Sequence, residues 1–362
     1  QACYRTRPNP KCSGDLRPFM TCTACVVARC MVAALVLDLA GEVGGISLAK
    51  EFVASPNSAS FRSIAVPYHA ILAAREDVSS LPASLANGKL LAYEPSVPVA
   101  KDLLLFLPGS TQPCEVYSQL LETLAGSMHT LCLPYDNRNS VGSLCGTEGK
   151  CYPELRLEAF NGSFGGVPGN NIELRLASAL AHLRAEGAAW SGYLDAASGL
   201  PLWRRIRAAG HSQGAGAAAY IGYRRELPRV VQFSGVCDMS EWTRKLGSPA
   251  TPASRFFGMA SMYDTMLCPL LAQVTSWQAE GALPESALPL SLSLKNSLNI
   301  TSLGKSHTVL SRIPPPGCDA STAMETLADM VCKFKAHDST ALNVWPSHSP
   351  YADGLWQALC VV

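Results

Sequence analysis

Charge is scarce in this chain. Only 16% of its 362 residues are Asp, Glu, Lys or Arg, and the two signs nearly cancel to a formal net charge of +1. Nothing in so balanced a sequence points to a nucleic-acid surface or an electrostatic membrane anchor. Long apolar runs are missing too. The best candidate, Cys30-Met31-Val32-Ala33-Ala34-Leu35-Val36-Leu37, is too short for a bilayer span and is flanked by Arg29 and Asp38. It reads as a short amphipathic or buried helix, and no transmembrane segment is expected. Internal repeats are absent. The Pro-containing stretches 248–254 and 313–317 read as loops rather than low-complexity domains. What is abundant is apolar: 48% of residues are hydrophobic, as in a well-buried globular protein, and 362 residues suffice for one large α/β domain or two smaller ones.

Cysteine is abundant as well. There are 14, five of them within the first 30 residues: Cys3, Cys12, Cys22, Cys25 and Cys30. Such density argues for disulfides and an oxidising compartment, secreted or in the secretory lumen. Cys145 and Cys151 close a short Gly-containing loop and read as a local pair. Cys22-x-x-Cys25 is read as two half-cystines, because no second ligand pair follows at zinc spacing. The sequons Asn161-Gly162-Ser163 and Asn299-Ile300-Thr301 fit a secretory route and glycosylation. No signal peptide is visible at Gln1, and the chain is read as mature, after removal of a leader.

Residues 1–60 differ from the rest and read as a disulfide-tied, Cys-rich extension, with one helix expected between Thr23 and Asp38. Residues 61–362 read as one α/β domain. From about Ser84, strands and helices alternate, which predicts a mostly parallel sheet with helices on both faces. Expected strands are Lys89–Tyr93, the apolar run Asp102–Leu107, His129–Leu133, Trp203–Ala209, Arg229–Phe233, Arg255–Ala260 and His307–Arg312. Helices are expected at Glu115–Ala125, Asn171–Arg184, Ala215–Tyr223 and Asp353–Cys360, with a long polar loop from Asp136 to Tyr152.

The most specific motif is Gly210-His211-Ser212-Gln213-Gly214. A strand before it and a small-residue helix after it are what a nucleophile elbow needs. The sharp turn presents Ser212 at a strained tip, and side chains at Gly210 and Gly214 would collide with the flanking strand and helix. A serine hydroxyl is a poor nucleophile at neutral pH. It needs a base for its proton and a donor pair for the oxyanion.

On this architecture an acid and then a histidine follow the serine along the chain. Asp264, past the strand at 255–260, is the preferred acid. Asp238, past the preceding strand, is its rival, and either is open to the plainer reading of a turn or capping residue. His337 and His348 are both candidates for the base, placed to reach the edge from a loop before the terminal helix. His307 is weaker, and His211 beside the nucleophile should point elsewhere. For the oxyanion hole, one donor is the backbone N–H of Gln213. The second comes from the loop after Leu107, where Ser110 is favoured.

These features together resemble the α/β-hydrolase superfamily, and more narrowly a group of secreted α/β-hydrolase-like proteins. The likeness runs from about Leu103 to the C-terminus. It rests on Leu133-Pro134-Tyr135 with the Cys145/Cys151 loop, Leu202-Trp203 leading into the elbow, and Phe233-Ser234-Gly235 with Asp238. The strand before Asp264 and the segment Ala336-His337-Asp338-Ser339-Thr340 complete it. The first 60 residues and the insertion between Gly317 and Lys335 depart from the pattern.

The resemblance implies a Ser212–Asp264–His337 triad and so raises His337 above His348. It implies a secreted serine hydrolase, carboxylesterase or lipase-like, that cleaves small-molecule or lipid-like esters through an acyl-enzyme. No cofactor or metal is expected. The stretch Met259–Leu283 and the loop Asp238–Ser254 are candidates to roof the pocket. A peptidase or acyltransferase with the same triad, or a non-catalytic binding protein on the same fold, are the alternatives.

Overall fold

The computed structural model of the chain describes residues 60–67, 88–98, 100–162, 171–238, 242–293, 306–318, 327–352 and 354–362. All of them belong to one compact unit, Asn57–Val362. The helix expected over Thr23–Asp38, the Cys-dense extension up to residue 59, Ser163 of the first sequon and the whole second sequon lie outside the described residues.

In chain order the described elements are β1 (Phe61–Pro67), β2 (Lys89–Pro95), β3 (Leu103–Leu107), α1 (Ser118–Ala125), β4 (His129–Cys132), α2 (Val141–Cys145), α3 (Cys151–Asn161) and α4 (Ile172–Glu186). They continue with β5 (Ile206–His211), α5 (Gln213–Arg224), β6 (Val230–Phe233), α6 (Trp242–Lys245), β7 (Phe256–Ser261), α7 (Leu270–Ala279), β8 (Leu290–Leu292), β9 (Thr308–Ser311), α8 (Leu327–Asp338) and α9 (Leu355–Cys360).

The strands form one nine-stranded sheet in the order β1-β2-β4-β3-β5-β6-β7-β9-β8. From β4 to β8 every neighbouring pair is parallel, while β2 runs antiparallel to both β1 and β4. This is the mixed α/β class with a mostly parallel sheet that the alternation predicts.

The two-residue period of a strand divides the core. Leu103, Leu105 and Leu107 of β3 face the layer that holds α4 and α5, whereas Leu104 and Phe106 face the layer that holds α1 and α9. All five are fully buried, which is why the run is continuously apolar rather than alternating. Burying each such side chain contributes about 1.5–3 kcal/mol. The small residues of α5 let that helix lie close against the sheet.

Several expected boundaries shift. Trp203–Arg205 is a turn of 3-10 helix, and the strand proper is Ile206–His211. The helix expected from Glu115 begins as a 3-10 turn at Cys114–Tyr117. The loop expected over 136–152 contains α2, capped by Ser140, whose hydroxyl accepts the Ser143 amide. Polar composition hid α2, because a five-residue helix shows no apolar stripe. Strands β1 and β8 and helices α3, α6, α7 and α8 were not anticipated.

Four disulfides occur among the described residues: Cys114–Cys132, Cys145–Cys151, Cys237–Cys268 and Cys318–Cys332. The second is the local pair expected from spacing. Cys360 is a buried free thiol. Among the described residues no helix is long and apolar enough to cross a membrane.

Candidate active site

Parallel strands bring their C-terminal ends to one edge, and the candidate residues cluster there. Ser212 follows β5 directly and initiates α5. Its backbone has φ 54° and ψ −115°, a region that non-glycine residues rarely occupy. The turn leaves no room for side chains on either side. A Cβ at Gly210 would overlap the Gly214 carbonyl, and one at Gly214 would overlap the backbone of Leu107 and Pro108. The expected elbow geometry and the need for both glycines are thus present. Ser212 is half-buried, and its hydroxyl makes no hydrogen bond among the described residues.

Asp264 sits three residues past β7, and His337 is in the last turn of α8. Nδ1 of His337 lies 2.6 Å from Oδ2 of Asp264, with both side chains buried. The other oxygen, Oδ1, accepts the Cys268 amide at 3.3 Å. Burial by itself would lower the His337 pKa. The hydrogen bond and charge of Asp264, with a further contribution from Asp338, outweigh it and raise the imidazole above its ordinary 6.5. Asp338 is itself raised to about 6, mainly by burial. His337 was expected in a loop; it belongs to a helix instead, and the helix end aims it at the edge.

The rival acid has other work. Asp238 forms a buried, two-pronged ion pair with Arg156, at 2.6 and 3.0 Å, and accepts the Trp242 indole N–H at 2.6 Å. Arg156 also donates to the Gln213 carbonyl at 2.7 Å, so this pair braces the first turn of α5 from below. Of the other histidines, His348 is exposed. His307 precedes β9, at the opposite end of the sheet, and stacks on Phe257 with ring centroids 4.6 Å apart.

The loop after β3 is pinned from three sides. Tyr135 donates to the Pro108 carbonyl at 3.0 Å, Asn137 donates to the carbonyls of Gly109 and Gln112, and the Gly109 amide donates to the Tyr117 hydroxyl at 2.8 Å. The Ser110 hydroxyl donates to Oε1 of Gln213 at 2.6 Å, which ties this loop to α5. Among the described residues, the backbone N–H groups of Ser110 and Gln213 make no hydrogen bond. These are the two donors expected for the oxyanion hole. Gly109 faces Ser212 closely, since a Cβ there would lie 3.3 Å from the serine Cβ.

His211, Asp338 and His337 form the one group among the described residues whose ligand atoms would suit a metal ion, within 4.8 Å of one another. Ring nitrogens of both histidines already have partners. His337 Nδ1 is held by Asp264, and His211 Nε2 lies 3.1 Å from the His337 carbonyl.

Within the segments expected to roof the pocket, some residues pack into the core or line a different cavity. Trp277 of α7 is fully buried and fills the space above Gly258 of β7. Thr243, Gly247, Ser248, Pro249 and Glu280 help line a cavity of about 480 Å³, but Ser212, Asp264 and His337 do not border it. The signal that sequence reading missed is Tyr117, a buried phenol placed between Gly109 and His211.

No protein-family model matches the chain, and no curated protein sequence is significantly similar to it.

Proposed function

We propose that this chain is a serine hydrolase of the α/β-hydrolase type that cleaves carboxylic esters through an acyl-enzyme on Ser212. One observation carries the reading. A serine with a strained strand-to-helix backbone shares a sheet edge with a buried Asp264–His337 pair, in the chain order Ser, Asp, His. In this reading Ser212 attacks the ester carbonyl while His337 Nε2 takes its proton, and the same proton then goes to the departing alcohol. Asp264 holds the imidazole in the tautomer with hydrogen on Nδ1 and stabilises the imidazolium. The N–H groups of Gln213 and Ser110 hold the oxyanion, and water resolves the acyl-enzyme. The disulfides favour a secreted or secretory-lumen enzyme. The substrate is a small-molecule or lipid-like ester, and the chemistry calls on no cofactor.

A non-catalytic binding protein is the second reading, favoured by the Ser212 hydroxyl making no hydrogen bond to His337. Against it, such bonds often form or tighten only in the substrate complex. A fluorophosphonate probe followed by peptide mapping separates the two. The hydrolase reading expects labelling at Ser212, turnover of p-nitrophenyl esters, and loss of both in Ser212→Ala. A wild-type protein that neither labels nor turns over any ester of a chain-length series would overturn it.

A further inference from the structure

We infer that Tyr117 and His211 form a hydrogen-bonded strut that sets the oxyanion loop against the histidine-bearing end of α8, which makes both of them positioning residues. The inference rests on the hydrolase reading.

The strut has three links. The Gly109 amide donates to the Tyr117 hydroxyl at 2.8 Å, that hydroxyl lies 3.1 Å from His211 Nδ1, and His211 Nε2 lies 3.1 Å from the His337 carbonyl. One proton arrangement satisfies every link. The phenol accepts from the amide and donates its own hydrogen to Nδ1. The imidazole then carries its hydrogen on Nε2 and donates it to the carbonyl. Both side chains are buried, so water offers no competing partner. Burial, and then the neighbouring His337, hold the His211 pKa well below its ordinary value, and burial holds the Tyr117 phenol well above its own. The neutral forms that the strut needs therefore persist across the physiological range.

The two ends of the strut carry the chemistry. Gly109 immediately precedes the proposed donor Ser110, and the His337 carbonyl belongs to the proposed base. Ser234 donates to the same carbonyl at 2.7 Å, so the histidine backbone is gripped from β5 and β6 together. His211 also packs against the His337 ring, with centroids 4.8 Å apart and the ring planes tilted by 58°. A plain core histidine would satisfy its two nitrogens on any nearby groups. This one has both nitrogens committed to elements that must keep a fixed separation for an oxyanion and a base to act on one carbonyl. Displacements of about 1 Å in such sites cost up to about 10²-fold in rate.

The test uses the full chain with Tyr117→Phe, His211→Leu, the double variant and His211→Gln, which keeps an N–H for the His337 carbonyl. Turnover of a p-nitrophenyl ester is normalised to serine that the fluorophosphonate labels. Each of the first two should lower kcat about tenfold with KM unchanged, the double should be little worse than the worse single, and His211→Gln should recover part of the loss. A wild-type kcat per labelled serine in Tyr117→Phe overturns the strut, and it decides alone if His211→Leu does not fold. Losses that multiply in the double variant overturn it too. Wild-type protein that neither labels nor turns over defeats the hydrolase reading itself, which is a different and recognisable failure.

Discussion

Asp264 Oδ2 and His337 Nδ1 lie 2.6 Å apart although 73 residues separate them in the chain. Both side chains are buried, and Asp264 both orients the His337 imidazole and raises its pKa. The first two predictions follow from that pairing.

Asp264→Asn should leave the protein folded and lower kcat by about 10³–10⁴, since an amide favours the wrong imidazole tautomer. Asp238→Asn should behave in the opposite way. It strips the buried Arg156 of its counter-charge, which costs roughly 3–5 kcal/mol of stability. Urea unfolding and ester kinetics on the two variants would separate the roles. Equal loss of activity at full stability in both would contradict the assignment.

The pH profile carries a sign. His337 must be neutral to accept a proton, and its pKa is raised above 6.5. The kcat/KM for an ester should therefore fall as pH drops through a midpoint above 6.5 and level off above it. In Asp264→Asn the raising influence of Asp264 is gone and burial dominates, so the acid limb of the residual activity should move to lower pH. An acid limb that stays in place would show that another group controls it.

Glu280 gives a prediction about stability. Its carboxyl is buried, accepts Gln232 Nε2 at 2.5 Å and the Ser276 hydroxyl at 3.0 Å, and burial raises its pKa from 4.5 to about 8. Between those values the unfolded chain is ionised there while the folded one holds its proton. Its contribution is complete below the unfolded pKa and is lost as pH rises toward the folded one. The melting temperature of Glu280→Gln minus that of wild type should therefore climb from about pH 5 to pH 8, with at most about 5 kcal/mol at stake. A difference that is flat with pH would mean that Glu280 is ionised in the folded protein.

Much of the sheet can be read from local pattern. The continuous apolar run at 103–107 announces a strand covered on both faces, and the apolar period over 171–184 announces α4, which the structure caps with Asn171, its side chain accepting the Leu174 amide. The elbow is legible because its glycines answer to steric contacts within a few residues of Ser212. Strand β8 and helix α2 are not legible, because three and five residues carry no usable period. Asp264 against Asp238 also looked open, since each follows a strand and neither sequence context reveals its partner.

The sequence by itself determined the local matters: the α/β alternation, the elbow glycines and the short Cys145–Cys151 link. Each is decided by neighbours close along the chain, where sterics and periodicity act directly. Only the tertiary structure decided which carboxylate meets His337, which one is spent on Arg156, and that Tyr117 and His211 join the loop after β3 to the end of α8. Those choices depend on desolvation and on hydrogen-bond distances between residues tens to more than a hundred positions apart. A buried charge or imidazole takes its properties from whatever the fold packs against it.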